Sequence, residues 1–523
     1  MRARVWVGVM VVWVACGGEA VPDRDLGGGD VDREVEDVSE VGDTSEVEDG
    51  SEVGDTSEVV EEVVDGLSPW PVSGGAEFET FFRPDTVQRV TLRVTESEWD
   101  ALIAHMLEYA AIDGNMRTNR YFRADFVHAR PDGETGGQTI IEEVGFRTRG
   151  NTTRELPEED GVFQRAHFKV KFDATFDMTP GTPEYELRDE RRFAGLKELS
   201  FKWGREKDPS QIRELFAYEL FRAVGVPVPR VVPVDLTFQI GERIVHYGLY
   251  LGIENVDKPF LGKRFGSDND GDLYKCLWLN EGPATLTPIT NRQAVGVKDW
   301  TRNYRPAYDL QTNEETSDHA DLYALIDALD ALDDAALTDW LDTHFDVEHF
   351  LRAIAVNVLV GMPDDYWAMG NNYYLYFGAN KTRFIPWDYD HGLGGGWGGE
   401  PAWDHEQIAD SDPFVWKNLN RAFGVNVDHP LVDRLLRIPT YRARYAELLD
   451  VILDSGRFSP EAWRALFDRQ APLYAPYLAN DTGPRDEGGP GVDALMEPAG
   501  EEAWITRRIT AVRAALSREN PAR

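Results

Sequence analysis

Met362-Pro363-Asp364-Asp365-Tyr366-Trp367-Ala368-Met369-Gly370-Asn371-Asn372-Tyr373-Tyr374-Leu375-Tyr376, followed by Phe384-Ile385-Pro386-Trp387-Asp388-Tyr389-Asp390-His391-Gly392-Leu393-Gly394, is the densest run of chemistry-bearing residues in the chain. The first acids come just after a helix-like stretch from Val347 to Gly361, with Phe350, Leu351, Ile354, Val358 and Leu359 on one apolar face. The second pair ends a short apolar strand, Arg383 to Pro386, joined to another at Asn372 to Phe377 by a turn at Gly378-Ala379-Asn380. Two loops that offer Asp, Asn and Asp from the ends of buried elements can converge on a hard cation. Magnesium takes oxygen ligands, uses few protein carboxylates and leaves room for phosphate oxygens. A further unpaired Asp can accept a hydroxyl proton during phosphoryl transfer. Acids at loop ends also serve as caps and turns, so these residues alone leave both uses open.

Upstream, strand patterns dominate. Val87 to Val94 alternates in period two, and a capped helix runs from Ser97 to about Ala111. Strand-like runs follow at Gly145–Arg149, His167–Phe172 and Glu198–Lys202. A helix comes next, with Asp208 and Ser210 as cap candidates, Ile212, Leu215, Phe216, Leu220 and Val224 as its stripe, and Gly225 and Pro227 as its stop. Val231–Ile240 and Ile244–Gly252 read as two strands around a turn at Gly241. From Ala320 helices take over, and the part from Pro430 is again helical. The expected class is therefore α+β, strand-rich first and mainly helical afterwards.

Four blocks in order carry a resemblance. They are Arg147-Thr148-Arg149-Gly150-Asn151-Thr152-Thr153; Gly248-Leu249-Tyr250-Leu251-Gly252-Ile253-Glu254-Asn255-Val256-Asp257 with Phe265-Gly266 and Gly271-Asp272-Leu273-Tyr274-Lys275; Asn371 to Tyr376; and Ile385 to Asp390. Over roughly residues 85–480 the chain resembles the spore-coat protein H (CotH) family of atypical secreted protein kinases. The resemblance implies a reduced protein-kinase-like fold of two lobes without the usual glycine-rich signature. It also implies ATP-dependent transfer to Ser or Thr hydroxyls of a protein substrate, with Mg²⁺ or Mn²⁺. Asp365 then resembles the catalytic acid, with Asp364 one residue away. Asn372, beside Asn371, resembles the metal-binding asparagine, and Asp388 the main metal ligand with Asp390 as neighbour. On the nucleotide side, Lys169 or Lys171 on a strand could hold the α- and β-phosphates, paired with a helix glutamate such as Glu214 or Glu219. Glu254 falls where a connector between lobes would present backbone to adenine. Lys275 is the other cationic candidate for phosphates. Two rival readings are a catalytically inactive kinase-like binding module and a structural cell-envelope protein.

The totals constrain partners. The chain of 523 residues has a formal charge of −39, which repels nucleic acid. Much of that charge lies between Asp30 and Asp65, where sixteen acids face one base. There a twelve-residue unit repeats, EVEDVSEVGDTS at Glu34–Ser45 and EVEDGSEVGDTS at Glu46–Ser57. Without aromatics between Cys16 and Trp70 and with like charges repelling, residues 17–75 are expected to form a disordered acidic tether, leaving 76–523 as the catalytic domain. Ahead of it, Met1-Arg2-Ala3-Arg4, an apolar run and Val14-Ala15-Cys16 read as a signal peptide, residues 1–16, ending in a lipobox. Lipidated Cys16 would anchor a secreted protein in the cell envelope, and Gly17 after it favours the outer membrane. The second cysteine, Cys276, is expected to be a buried thiol. Asp268-Asn269-Asp270-Gly271-Asp272 departs from a calcium loop in its glycine position and reads as a turn.

Overall fold

The computed structural model of the chain describes residues 66–129, 137–151, 154–204, 212–394, 405–416, 428–479 and 499–520. The leader with Cys16, the acidic repeats, Thr152-Thr153, the cap candidates Asp208 and Ser210, and residues 395–404 lie outside the described residues.

Seven strands of the first half close on themselves. They are β1 (Gln88–Val94), β2 (Phe122–Ala129), β3 (Gln138–Arg149), β4 (His167–Lys171), β5 (Glu198–Lys202), β6 (Val231–Ile240) and β7 (Arg243–Glu254). Around the barrel the order is β1-β2-β3-β4-β5-β7-β6, and β6 returns to β1. The closing pair is parallel, Gln88 opposite Val234 through Val94 opposite Ile240. All the other pairs are antiparallel. Alternation in β1 sends Val90, Leu92 and Val94 inward while Arg89 and Arg93 face water. Inside, Phe168 lies 4.7 Å from Phe238, and Phe238 lies 5.2 Å from Tyr247. The long helix α1 (Glu96–Asp113), capped by Thr95 and stopped by Gly114 at φ 69°, buries Trp99 within 5.3 Å of Phe238. Closure of the sheet removes exposed edges; the sequence patterns predicted most of the strands but not the barrel.

A second sheet carries the cleft floor. β8 (Asp272–Cys276), β9 (Val295–Gly296), β10 (Tyr308–Leu310), β11 (Tyr373–Phe377) and β12 (Thr382–Pro386) are ordered β9-β10-β8-β11-β12. Lys275 on β8 stands opposite Tyr374 on one side and Asp309 on the other. Two helices brace the site. These are α2 (Arg213–Ala223), which starts after Ile212 without a side-chain cap, and α3 (Val347–Val360), capped by Asp346. Further helices, Ala320–Ala331, Asp334–His344, Pro430–Arg437, Pro439–Asp454, Pro460–Ala479 and Ala499–Glu519, complete a mainly helical second half. The α+β class with a strand-rich first part is what the sequence predicts.

The folded body starts ahead of residue 76, where the tether was expected to end. Leu67 is buried, Trp70 Nε1 donates to the Arg264 carbonyl at 3.2 Å and Ser73 N–H donates to the Lys263 carbonyl at 2.8 Å. Cys276 is a buried free thiol. Asp268 serves as a turn anchor, accepting from Ala379 N–H at 2.7 Å and Asn380 Nδ2 at 2.9 Å. Among the described residues no helix is long and apolar enough to cross a membrane.

Candidate functional site

Between the barrel strands and the second sheet lies a cleft of about 330 Å³ lined by residues from β3, β4, β5, β8, β10 and the loops around β11 and β12. Lys202, the last residue of β5, is its electrostatic centre. Its ammonium is 3.0 Å from Glu214 Oε1 in the first turn of α2, 3.3 Å from Asp390 Oδ2, and hydrogen-bonded to Asp388 Oδ1. Lys202 and Glu214 are both almost wholly buried. Burial works to lower the Lys202 ammonium, but Asp388, Asp390 and Glu214 outweigh it and hold the group above its ordinary value. Burial likewise works to raise Asp388; Lys202, Arg149 and Lys275 overcome it and keep that carboxylate far below the usual range. Each partner therefore stabilises the charged form of the other.

The acid-bearing loops are built by helix and strand ends. Gly361, at φ 68°, closes α3 and turns the chain into Met362-Pro363-Asp364-Asp365. The two acids diverge from there. Asp364 lines the cleft; its Oδ1 accepts from Asn371 Nδ2 at 2.7 Å and its carbonyl from Asn372 Nδ2 at 2.9 Å. The Asp365 carboxyl is used inside the protein. It caps the short helix Tyr366–Met369 through Ala368 N–H at 2.7 Å and accepts from Asn357 Nδ2 of α3. Asn357 in turn accepts from the Tyr389 hydroxyl at 2.9 Å. Asn372 and Asp388 both adopt the left-handed region, at φ 56° and 66°. Asn and Asp tolerate that conformation best after glycine, and such backbone is held where the surroundings over-determine it. Here the surroundings are Trp387 N–H on the Asn372 carbonyl at 3.2 Å and Asp388 N–H on the Tyr218 hydroxyl at 3.1 Å.

The remaining predicted residues are distributed as follows. Lys169 lines the cleft, paired with Glu198 at 2.7 Å and Asn255 Oδ1 at 2.8 Å; it does not meet Glu214, whose lysine is Lys202. Lys171 lies 3.9 Å from Asp173, and Glu219 pairs with Arg222 one helical turn away at 3.1 Å. Glu254 is spent on structure: its carboxylate is buried against Arg264 at 2.6 Å and its N–H donates to the Arg230 carbonyl. Asn255, the next residue, reaches the cleft instead. Lys275 lines the cleft floor with its ammonium 5.0 Å from the Trp387 ring centre and 5.6 Å from that of Tyr374. Burial, with Arg149 and Lys169 nearby, pushes it well below an ordinary lysine. Lys202 is the residue that sequence reasoning missed. The signal was present, since it ends the strand directly before the helix that carries Glu214.

The two neighbouring acids predict a pH signature. Burial pushes the Asp365 carboxyl up to about 7, against the hydrogen bonds it accepts from Ala368 and Trp367 N–H. Its folded value exceeds the unfolded one, so the folded state binds more protons between about pH 4 and 7 and loses stability as pH rises through that window. Wild type is expected to lose on the order of a few kcal/mol relative to Asp365→Asn between those limits, measured by denaturant unfolding at each pH. Parallel profiles for the two chains would show that Asp365 is ionised in the fold throughout.

Among the described residues, no group of three or more His, Cys, Asp or Glu gathers as a ready metal cage. Asp388 and Asp390 nevertheless converge on Lys202, and Asn372 stands on the loop bonded to Trp387, so all three residues line the cleft. In comparison with known proteins, a family model described as CotH kinase protein matches residues 146–491. No curated protein matches the chain.

Proposed function

The chain belongs to the CotH kinase family, and on that footing we propose that it transfers the γ-phosphoryl group of ATP to Ser or Thr hydroxyls of a protein substrate, with Mg²⁺ or Mn²⁺. The observation that carries the reading is the junction at Lys202. A strand lysine, a helix glutamate and a loop aspartate meet there in the wall of a cleft, as phosphoryl transfer by protein kinases requires. On this reading the barrel and the mainly helical part are the two lobes of a reduced kinase-like fold.

The donor set suits a hard cation. Asp388, Asp390 and Asn372 would hold it through oxygens, leaving its other positions to phosphate oxygens and water. When bound, the metal would neutralise charge on the phosphates. The protein's own groups do the rest. Lys202, fixed by Glu214, would orient the α- and β-phosphates, and Lys275 on the floor would add a further N–H donor. Asp364, oriented by Asn371, would accept the acceptor hydroxyl's proton. As the hydroxyl oxygen bonds to the γ-phosphorus, the bond to the ADP oxygen breaks. Burial raises the Asp364 carboxyl, with His391 and Asn371 opposing it, so it is a better base than an exposed aspartate. This moves the catalytic-acid role from Asp365 to its neighbour.

Thermal unfolding with ATP and Mn²⁺, alongside phosphosite mapping by mass spectrometry, tests the proposal. The expected outcome is a metal-dependent rise in Tm together with phosphate on Ser or Thr. A rise in Tm without any transfer would instead favour an inactive binding module.

Location is part of the proposal. Lipidation at Cys16 would hold the chain on a membrane, in the outer membrane where the cell has one, with the acidic repeats as spacer. Cys16→Ser is expected to move the protein from the membrane pellet to the soluble fraction; retention in the pellet would contradict the anchor.

A further inference from the structure

Four arginines line the cleft and a fifth stands beside it; apart from Arg149, which helps hold Asp388 ionised, none has a part in the chemistry above. Arg147 and Arg149 sit two apart on β3 and so share a face. Arg154 follows them, and Arg305 arrives from the segment before β10; all four line the cleft. Arg117 joins from beyond α1, donating to Asn151 Oδ1 at 2.7 Å. The cleft lysines other than Lys275 are balanced by carboxylates: Lys169 by Glu198, Lys202 by Glu214, Lys298 by Asp309 at 2.8 Å. The five arginines form no ion pair with a carboxylate among the described residues. Arg147 Nη1 donates to the Thr148 carbonyl at 3.0 Å, Arg154 Nε to that of Gly150 at 3.2 Å, and Arg305 Nε to Asn303 Oδ1 at 3.4 Å. Arg147 Nε, Arg149 Nη1 and Arg305 Nη2 are buried and find no acceptor among the described residues. Arg147 and Arg305 are 9% and 8% exposed. Burial, and then Arg147, Arg305, Arg149 and Arg117, hold the Arg154 guanidinium well below its ordinary value.

Buried guanidinium N–H groups without acceptors are costly, and so are like charges gathered out of water. In a chain of net charge −39 such a cluster runs against composition. A metal-bound triphosphate retains only about two negative charges, which the arginines exceed. Resting on the phosphotransferase reading, we infer that this arginine wall binds the acceptor, and that the acceptor is an acidic segment whose carboxylates flank the Ser or Thr to be modified. Arginine is suited to this because its planar fork takes carboxylates in pairs of hydrogen bonds. The chain contains a sequence of this chemistry, Glu34–Ser57, with ten carboxylates around six hydroxyls.

The test uses the full chain with ATP, Mn²⁺ and a synthetic peptide of sequence Glu34–Ser57, against the same peptide with every Glu as Gln and every Asp as Asn. The acidic peptide is expected to show a KM at least about tenfold lower. In the chain carrying Arg147→Gln and Arg305→Gln, the KM for the acidic peptide should rise about tenfold or more while the KM for ATP stays in place. Equal use of the two peptides by the wild-type chain overturns the inference, whether or not the double variant folds. A rise in the KM for ATP instead of the peptide overturns it too and assigns the wall to the nucleotide. If no peptide is phosphorylated, the phosphotransferase reading fails, and fluorescence anisotropy of the labelled peptides then decides the wall separately. Tighter, salt-sensitive binding of the acidic peptide that the double substitution abolishes supports it, and equal binding of both peptides overturns it.

Discussion

Replacing Asp364 by Asn is expected to lower kcat for phosphotransfer by about 10²–10⁴-fold with little change in the KM for ATP, whereas Asp365→Asn should retain most of the activity. The two residues are adjacent in sequence, and only geometry separates them. Asp364 faces the cleft, held by Asn371 at 2.7 Å, while the Asp365 carboxyl lies under the loop, capping Tyr366–Met369 and bonded to Asn357. An amide at position 364 keeps the shape and the Asn371 contact but cannot take the hydroxyl proton. Asp365→Ala, by contrast, removes a cap and leaves the Asn357 amide short of an acceptor, which should cost about 1–3 kcal/mol of stability. Steady-state kinetics and denaturant unfolding on the same chains check both halves. Loss of turnover in Asp365→Asn with normal turnover in Asp364→Asn would reverse the assignment.

Lys202→Met is expected to be the most disruptive single change, because it acts on chemistry and on folding together. One ammonium meets Glu214, Asp388 and Asp390. Its removal leaves three carboxylates facing one another beside the cleft, and breaking a buried pair in this way typically costs about 3–5 kcal/mol. Transfer should fall by about 10²-fold or more, since the phosphates lose their oriented cation. Glu214→Gln should be milder in stability, as Asp388 and Asp390 remain to balance the lysine, and should reduce rate through a less well fixed Lys202. A double-mutant cycle with both changes should give a smaller total than the sum of the single changes. Additive losses would mean that Lys202 and Glu214 do not act as a unit.

Periodicity made much of the fold legible. The alternation of Val90, Leu92 and Val94, the stripe Leu215, Phe216, Leu220 on α2 and the apolar face of α3 each report a local rule that tertiary packing then obeys. The closure of the barrel was not legible. It depends on β2, a strand that sequence reading passed over although Phe122, Ala124 and Phe126 alternate with Arg123 and Asp125, and on a register shift against β3 between Ala124 and Phe126. It also depends on a parallel contact between β1 and β6, and pairing between distant strands leaves no trace in either segment. The acids of the site were found because they cluster in sequence. Lys202 was passed over because a lysine ending an apolar strand looks like an ordinary solvated end, while the alternating Lys169 and Lys171 draw attention. The choice between Asp364 and Asp365 turned on which way Gly361 launches the loop, a backbone property that residue type does not encode. The arginine wall was present as Arg147 and Arg149 in a motif, but Arg117, Arg154 and Arg305 join it only in three dimensions.

The most direct measurement is the incorporation of γ-labelled phosphate by the full chain with Mg²⁺ or Mn²⁺, compared with the Asp388→Ala chain and with chelator. The left-handed Asp388, tied to Lys202 and facing the cleft with Asp390, is the residue on which the nucleotide and metal reading turns. The account predicts metal-dependent label on Ser or Thr for the wild-type chain, and background label for Asp388→Ala with cooperative thermal unfolding preserved. Equal labelling by the Asp388→Ala chain, or labelling that persists unchanged in chelator, would contradict it.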